Sequence, residues 1–145
     1  MYTYTYTMYD MIADSGNPFV LKEFPLKHDL TDRFYIREIT MEKDDRVLSK
    51  IHKTEHPFRI SEGKVLVRTF EGGTFKDEIL EAPYNGITKV GTLRILQIIE
   101  RCVWTTFHER LPNETIEEIE ERIIEKHTNK LLPSHNQSEV NSITD

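Results

Sequence analysis

His52-Lys-Thr-Glu55-His56 is the segment whose residue types and spacing could do chemistry. It has the form H-x-x-E-H, the inverted zinc-protease pattern. On a helix, His52 and His56 would stand one turn apart on one face, with Glu55 beside a metal-bound water as general base. Three features weigh against a catalytic zinc. Pro57 follows His56 at once, no nearby side chain supplies a third ligand, and 145 residues is short for enzymes that use this pattern. His52 and His56 are the candidate metal ligands, but they read better as a solvated pair, and no cofactor is expected.

A second group lies between Thr92 and Arg110. At 100° per residue, Leu93, Ile95, Leu96, Ile98, Ile99, Cys102, Val103, Trp104 and Phe107 cover more than half of a helix circumference. The spacing predicts a long helix near 92–110, buried on more than one side. Glu100 falls inside its apolar arc. A carboxylate there is either an acid/base at a pocket or one half of an ion pair at the rim, and the rim pair is favoured. The candidate catalytic residues are therefore Glu100 and Glu55, and neither belongs to a convincing set. Arg94, Gln97, Arg101 and His108 form the polar stripe, which is either an anion site or a solvated face. Cys102 reads as a small buried hydrophobe, and as the single cysteine it excludes an internal disulfide. His127 falls within the isoleucine stripe of the last predicted helix and reads as a satisfied rim histidine.

Strands fill most of what precedes. Tyr2 to Tyr9 alternate tyrosine with threonine, a β pattern with Tyr2, Tyr4 and Tyr6 on one face. Phe19–Phe24 and Arg33–Met41 are further strand candidates. Residues 44–55 are read as a short helix, since Val47, Leu48 and Ile51 fall at helical spacing before Pro57. Residues 57–81 read as a meander with a turn at Ser61-Glu62-Gly63 and a hairpin at Glu71-Gly72-Gly73. Thr115-Ile-Glu-Glu118 fits a capping box and opens a helix near 115–131. The fold expected is thus α+β: an antiparallel sheet of about five to seven strands in the N-terminal two-thirds, packed on the long helix, with a second helix after it. Residues 1–132 form one domain, and the Ser/Asn/Gln-rich 133–145 form a disordered tail.

Charge narrows the function classes. The net charge is −6, with 37% apolar and 30% charged residues. The middle, residues 33–70, is nonetheless net +3, from nine basic and six acidic side chains. No apolar run is long enough to span a membrane and no charged-then-apolar leader opens the sequence, so a cytoplasmic protein is expected. Phosphate-binding loops and the G-x-S-x-G elbow are absent. By elimination the expected function is protein–protein binding. That would suit an inhibitor, an immunity-type protein or a viral or mobile-element accessory protein. It would act through Tyr2, Tyr4 and Tyr6 or through Glu117, Glu118 and Glu121, with a homodimer through the first strand as a variant. Two alternatives stand beside it. One is single-stranded nucleic-acid binding through Tyr35, Arg37, Arg68 and Phe70 on one open face. The other is a metal-dependent hydrolase built on the H-x-x-E-H segment.

Overall fold

The computed structural model describes residues 24–125. It is an antiparallel sheet of seven strands: β1 (Leu26–Leu30), β2 (Phe34–Met41), β3 (Arg46–Leu48), β4 (His56–Glu71), β5 (Thr74–Glu81), β6 (Tyr84–Thr88) and β7 (Leu93–Glu109). One short helix, α1 (Ile116–Ile123), follows. Two long strands, β4 and β7, pair along most of their length and form the spine. Each is flanked by two shorter strands, one on either half. The C-terminal half of β7 pairs with β2, and its N-terminal half with β3. Likewise β4 pairs with β6 at its start and with β5 at its end. The two halves close on each other around one core. Ile39, Phe58, Ile60 and Trp104 come from one half; Val47, Val65, Val67, Leu80, Leu96 and Ile98 come from the other.

The expected α+β architecture is corrected accordingly, because the segment near 92–110 is the longest strand and not a helix. Its even-numbered residues except Glu100, namely Arg94, Leu96, Ile98, Cys102, Trp104, Thr106 and His108, line the interior. Ile, Val, Thr and aromatic side chains dominate it, and these pack well on a pleated surface. A run that is apolar all round satisfies a strand covered on both faces as well as a buried helix. The helix read at 44–55 is corrected too: β3 occupies 46–48, and a connection carrying His52 follows.

The turn read at Ser61–Gly63 is a bulge inside one continuous strand, where the β4–β7 register shifts three times between Ile60 and Val65. The shift changes which residues of β4 face inward, from His56, Phe58 and Ile60 to Val65 and Val67. Gly63 takes φ 97° there, and a Cβ on it would run into the Arg101 carbonyl oxygen. Only glycine tolerates both conditions. The Gly72–Gly73 hairpin is as read, with both residues at positive φ and Glu71 paired to Thr74.

Helix α1 keeps the predicted capping box. The Glu118 amide donates to Thr115 Oγ1 at 3.2 Å, and the Thr115 amide donates to Glu118 Oε1 at 2.9 Å. The helix ends at Ile123, shorter than the expected 115–131. Ile119 and Ile123 pack on the buried ring of Tyr35, with Ile116 and Ile124 beside them. Among the described residues no helix is long and apolar enough to cross a membrane.

Candidate metal centre

Register brings three histidines together. Tyr35 on β2 pairs with His108 on β7, and His56 on β4 pairs with Thr88 on β6. Phe58 pairs with Thr106, so two residues further on His56 stands opposite His108. The inward-facing row at this end of the sheet is therefore Tyr35, His108, His56 and Thr88. His52 arrives from the β3–β4 connection, where it bridges to Ile124 at the end of α1. The Lys53 amide donates to the Ile123 carbonyl at 2.6 Å and the Glu125 amide to the Ile51 carbonyl at 2.7 Å, which pins this connection to the helix.

One ring nitrogen from each of His52, His56 and His108 lies within 4.8 Å of the other two. Ring centroids are 4.6 Å apart for His52 and His56, 5.4 Å for His52 and His108, and 4.4 Å for His56 and His108. His56 and His108 are buried and His52 is half-buried. Burial pushes His52 down to about 2, helped by His56, His108 and Arg37. Burial pushes His108 down to about 3, helped by His56, Arg37 and Arg122, and lowers His56 as well. A charged imidazole costs too much in a dry site beside other cations, so all three are neutral and can offer lone pairs at neutral pH.

The donor set fits a metal ion. His56 Nδ1 lies 3.2 Å from the Thr54 carbonyl, so it donates there and leaves Nε2 as the ligand atom. His108 Nε2 meets Thr106 Oγ1 at 2.9 Å, and its buried Nδ1 has no hydrogen-bond partner in the protein. An orphaned, buried imidazole nitrogen beside two others is what three-histidine coordination with a further open position would use.

The sequence-level candidates divide sharply. His52 and His56 do converge, but from a connection and a strand start, not one helix face. Glu55 between them is exposed in the connection just before β4 and does not line the cavity, so it does not join them as the base of an inverted zinc-protease site. Glu100 is exposed in mid-strand opposite Lys64, away from the cavity. The polar stripe splits: Arg94 and His108 face inward, Gln97 accepts from Arg46 at 3.1 Å, and Arg101 pairs with Glu62 at 2.7 Å. His108 is the member of the cluster that the sequence did not single out as a candidate ligand. It lies 52 positions beyond His56, and only pairing of β4 with β7 brings it close.

The proposed faces for other partners do not form. Tyr35 is 1% exposed and Arg37 lines the interior, whereas Arg68 pairs with Asp77 at 2.8 Å and Phe70 packs on Phe75 elsewhere on the sheet. Tyr35, Arg37, Arg68 and Phe70 therefore share no open face for nucleic acid. Tyr2, Tyr4, Tyr6 and His127 lie outside the described residues, as does the 133–145 tail. Glu117, Glu118 and Glu121 are exposed on α1, with Glu118 engaged in the cap. The protein-binding reading is corrected, and the viral or accessory label with it. The convergent chemistry lies in an internal histidine cluster at a cavity, not on a surface patch.

Fold and site together define an all-β antiparallel sandwich with a three-histidine cluster inside one end. No protein-family model and no curated protein matches the sequence. Solved structures are similar at low identity. One is cobalt(II) HppE in complex with substrate, with 8% identity, TM-score 0.48 and 58% of this chain covered; the match spans about half of that chain, 51%. Another is a double-stranded β-helix protein from Klebsiella pneumoniae, with 14% identity, TM-score 0.49 and coverage of 68% and 93% of the two chains. A third is a cupin-2 domain protein from Shewanella frigidimarina, with 15% identity, TM-score 0.47 and coverage of 68% and 92%. Likeness at this level fixes neither family nor activity for this chain.

Proposed function

We propose that this protein binds a divalent transition-metal ion through His52, His56 and His108 and uses it on a small molecule held in the adjoining cavity. The observation that carries this reading is the convergence of three neutral imidazoles within 4.8 Å, two of them buried. Three imidazoles suit Zn²⁺, Fe²⁺, Co²⁺, Ni²⁺ or Cu²⁺. A bound ion of this kind supplies Lewis acidity at an open coordination position.

The chain's own residues set the conditions around it. Thr54 and Thr106 hold the rings of His56 and His108 in fixed orientations. Tyr35 closes one side, its hydroxyl 2.6 Å from His28 Nδ1. Helix α1 covers the same end through Ile123 and Ile124, which limits access of bulk water to the rings. Ile39, Met41, Leu96 and Trp104 form the apolar wall, with Phe58 stacked on Trp104 at a centroid distance of 4.5 Å.

The test is a titration of chelator-stripped protein with Co²⁺, read by visible absorption and by calorimetry. Saturation at one ion per chain, lost in His56→Ala and in His108→Ala, supports the centre. No saturable binding, or equal binding by the variants, refutes it.

A further inference from the structure

We propose that the N-terminal segment, residues 1–23, straps the outward face of β3 and β7 and lays Tyr2, Tyr4, Tyr6 and Met8 on it. This goes beyond the metal reading and does not depend on it. The first support is burial on the wrong side of the sheet. Val47 and Leu96 point into the core, so Leu48 and Ile95, next to them in the chain, point out of the sheet's other side. Leu48 pairs with Ile95, and Leu93 lies two positions along β7 on that same side. Leu48 and Leu93 are nonetheless only 2% exposed, and Ile95 6%. None of the three belongs to the core between the halves or to the cluster under α1. Among the described residues, β3 pairs with β7 alone, so no strand flanks Leu48 on its free edge.

The outward face of the other half gives the comparison. There Ile36 pairs with Phe107, and Pro57 with Ile87. Ile36 and Phe107 are half-buried, Pro57 is exposed and Ile87 is 55% exposed. A bare sheet face leaves its apolar residues that open, so Leu48, Leu93 and Ile95 lie under a cover. The described strands all belong to the one sheet, and α1 packs on Tyr35 instead. The burial also fades across the sheet. Leu66 and Phe70 on β4 are half-buried, whereas Phe75 and Ile79 on β5 are exposed. The cover thus centres on β3 and β7 and stops short of β5.

Composition and chain path select the segment. Tyr2 to Tyr9 alternate tyrosine with threonine, which offers one apolar, aromatic face to a surface. Residues 126–145 hold Leu131, Leu132, Val140 and Ile143 as their aliphatic residues, with no such alternation. Leu26 pairs with Ile39, and the Pro25 carbonyl accepts the Thr40 amide at 3.1 Å. The chain therefore enters β1 beside Met41, at the end of β2 that turns into β3. From that point about 15 extended residues span ~50 Å, enough to carry Tyr2 to Tyr6 across β3 and β7. Leu48 precedes the connection that carries His52, so the strap holds the strand from which that connection departs.

The experiment is methyl-resolved NMR of the full chain with a nitroxide on Thr5→Cys, on the threonine side of the segment. Cys102 is fully buried and stays unlabelled. The expected result is broadening of the Leu48, Leu93 and Ile95 methyl signals, with Ile87 on the opposite face spared. An equimolar mixture of spin-labelled, isotope-free chain with isotope-labelled, spin-free chain should show no broadening. Replacing Tyr2, Tyr4 and Tyr6 together by serine should cut the broadening about fivefold or more while the Val65 and Val67 signals keep their positions. If the Leu48, Leu93 and Ile95 signals stay sharp, the strap is overturned. If they broaden from a nitroxide on Ser134→Cys and not from Thr5→Cys, the cover is the C-terminal segment and the assignment is overturned. Broadening in the mixture would make the cover a second copy's segment and overturn a strap within one chain. Undiminished broadening in the serine variant would overturn the tyrosine contact.

Discussion

His56 and His108 face each other from adjacent strands with ring centroids 4.4 Å apart, and His108 carries a buried Nδ1 that no protein group satisfies. Packing alone would be served as well by a phenyl ring. In His108→Phe the ring still fills the space between Tyr35 and the other histidines; the unpaired Nδ1 is removed, and so is the Nε2 hydrogen bond to Thr106 Oγ1. The two effects oppose each other, so the metal-free variant should lie within about 1 kcal/mol of the parent. The stabilisation conferred by added Zn²⁺ should vanish. Thermal unfolding with and without Zn²⁺ checks both halves. A variant that is strongly destabilised when metal-free would show that the imidazole serves the fold and not a ligand.

The lowered histidines make the metal-free protein sensitive to acid in a defined window. In the folded chain His52 titrates at about 2 and His108 at about 3, with His56 also lowered, against the ordinary 6.5. Below 6.5 the unfolded chain therefore binds protons that the folded chain does not, and stability falls as pH drops. The contribution is fully present above about 6.5 and is lost progressively toward 3 and 2. The slope approaches ~1.4 kcal/mol per pH unit for each imidazole. Urea midpoints at pH 7.5, 6.5 and 5.5 in the presence of chelator should decline, and His108→Phe should decline less steeply. Equal slopes for parent and variant would argue against a neutral, buried His108.

How much of this was legible in the sequence follows from what each signal measures. The strand expected at Arg33–Met41, the Gly72–Gly73 hairpin and the Thr115–Glu118 cap are local, set by alternation, positive φ and reciprocal hydrogen bonds within four residues, and the structure has all three, the strand starting at Phe34. The segment 92–110 is a strand although its apolar residues meet helical and strand spacing alike. The β-branched and aromatic content of Ile98, Ile99, Val103, Trp104 and Phe107 is the signal that distinguishes the two. The site was half visible. His52 and His56 announce themselves by proximity in the chain, but their third partner depends on the pairing of β4 with β7. Helical spacing instead groups His108 with Arg94, Gln97 and Arg101 on one polar stripe, of which only Arg94 and His108 line the cavity.

Gly63 sets the bulge that turns the inward face of β4 from even to odd positions. Its φ is 97°, and a Cβ there would meet the Arg101 carbonyl. Its own carbonyl accepts the Ala82 amide at 2.9 Å, so the position also ties β4 to the end of β5. Gly63→Ala must strain the backbone and push the spine strands apart. The expected cost is about 2–4 kcal/mol, measured by urea unfolding. Gly72→Ala meets nothing within 4 Å and carries the φ penalty alone, so it should cost no more than about 1–2 kcal/mol. Equal effects of the two substitutions would mean that the close approach to Arg101 is relaxed in solution.

Helix α1 is held over the histidine end by burial more than by its polar ties, and the two can be separated. Ile119 is fully buried against Tyr35, so Ile119→Ala leaves a cavity and should cost about 2–4 kcal/mol. Thr115→Ala removes one half of the capping box and should cost about 1 kcal/mol. Arg122→Ala removes the guanidinium that donates to Glu114 Oε2 at 2.9 Å and to the Glu109 carbonyl at 2.7 Å, one residue beyond His108. Because α1 bridges through Ile124 to His52, loosening the helix also loosens one ligand. Ile119→Ala should therefore weaken Co²⁺ binding, whereas Thr115→Ala should leave it within about twofold of the parent. Calorimetric Co²⁺ titrations of both variants decide the matter. Parent-like affinity in Ile119→Ala would show that His52 is positioned by β3 and β4 without the helix.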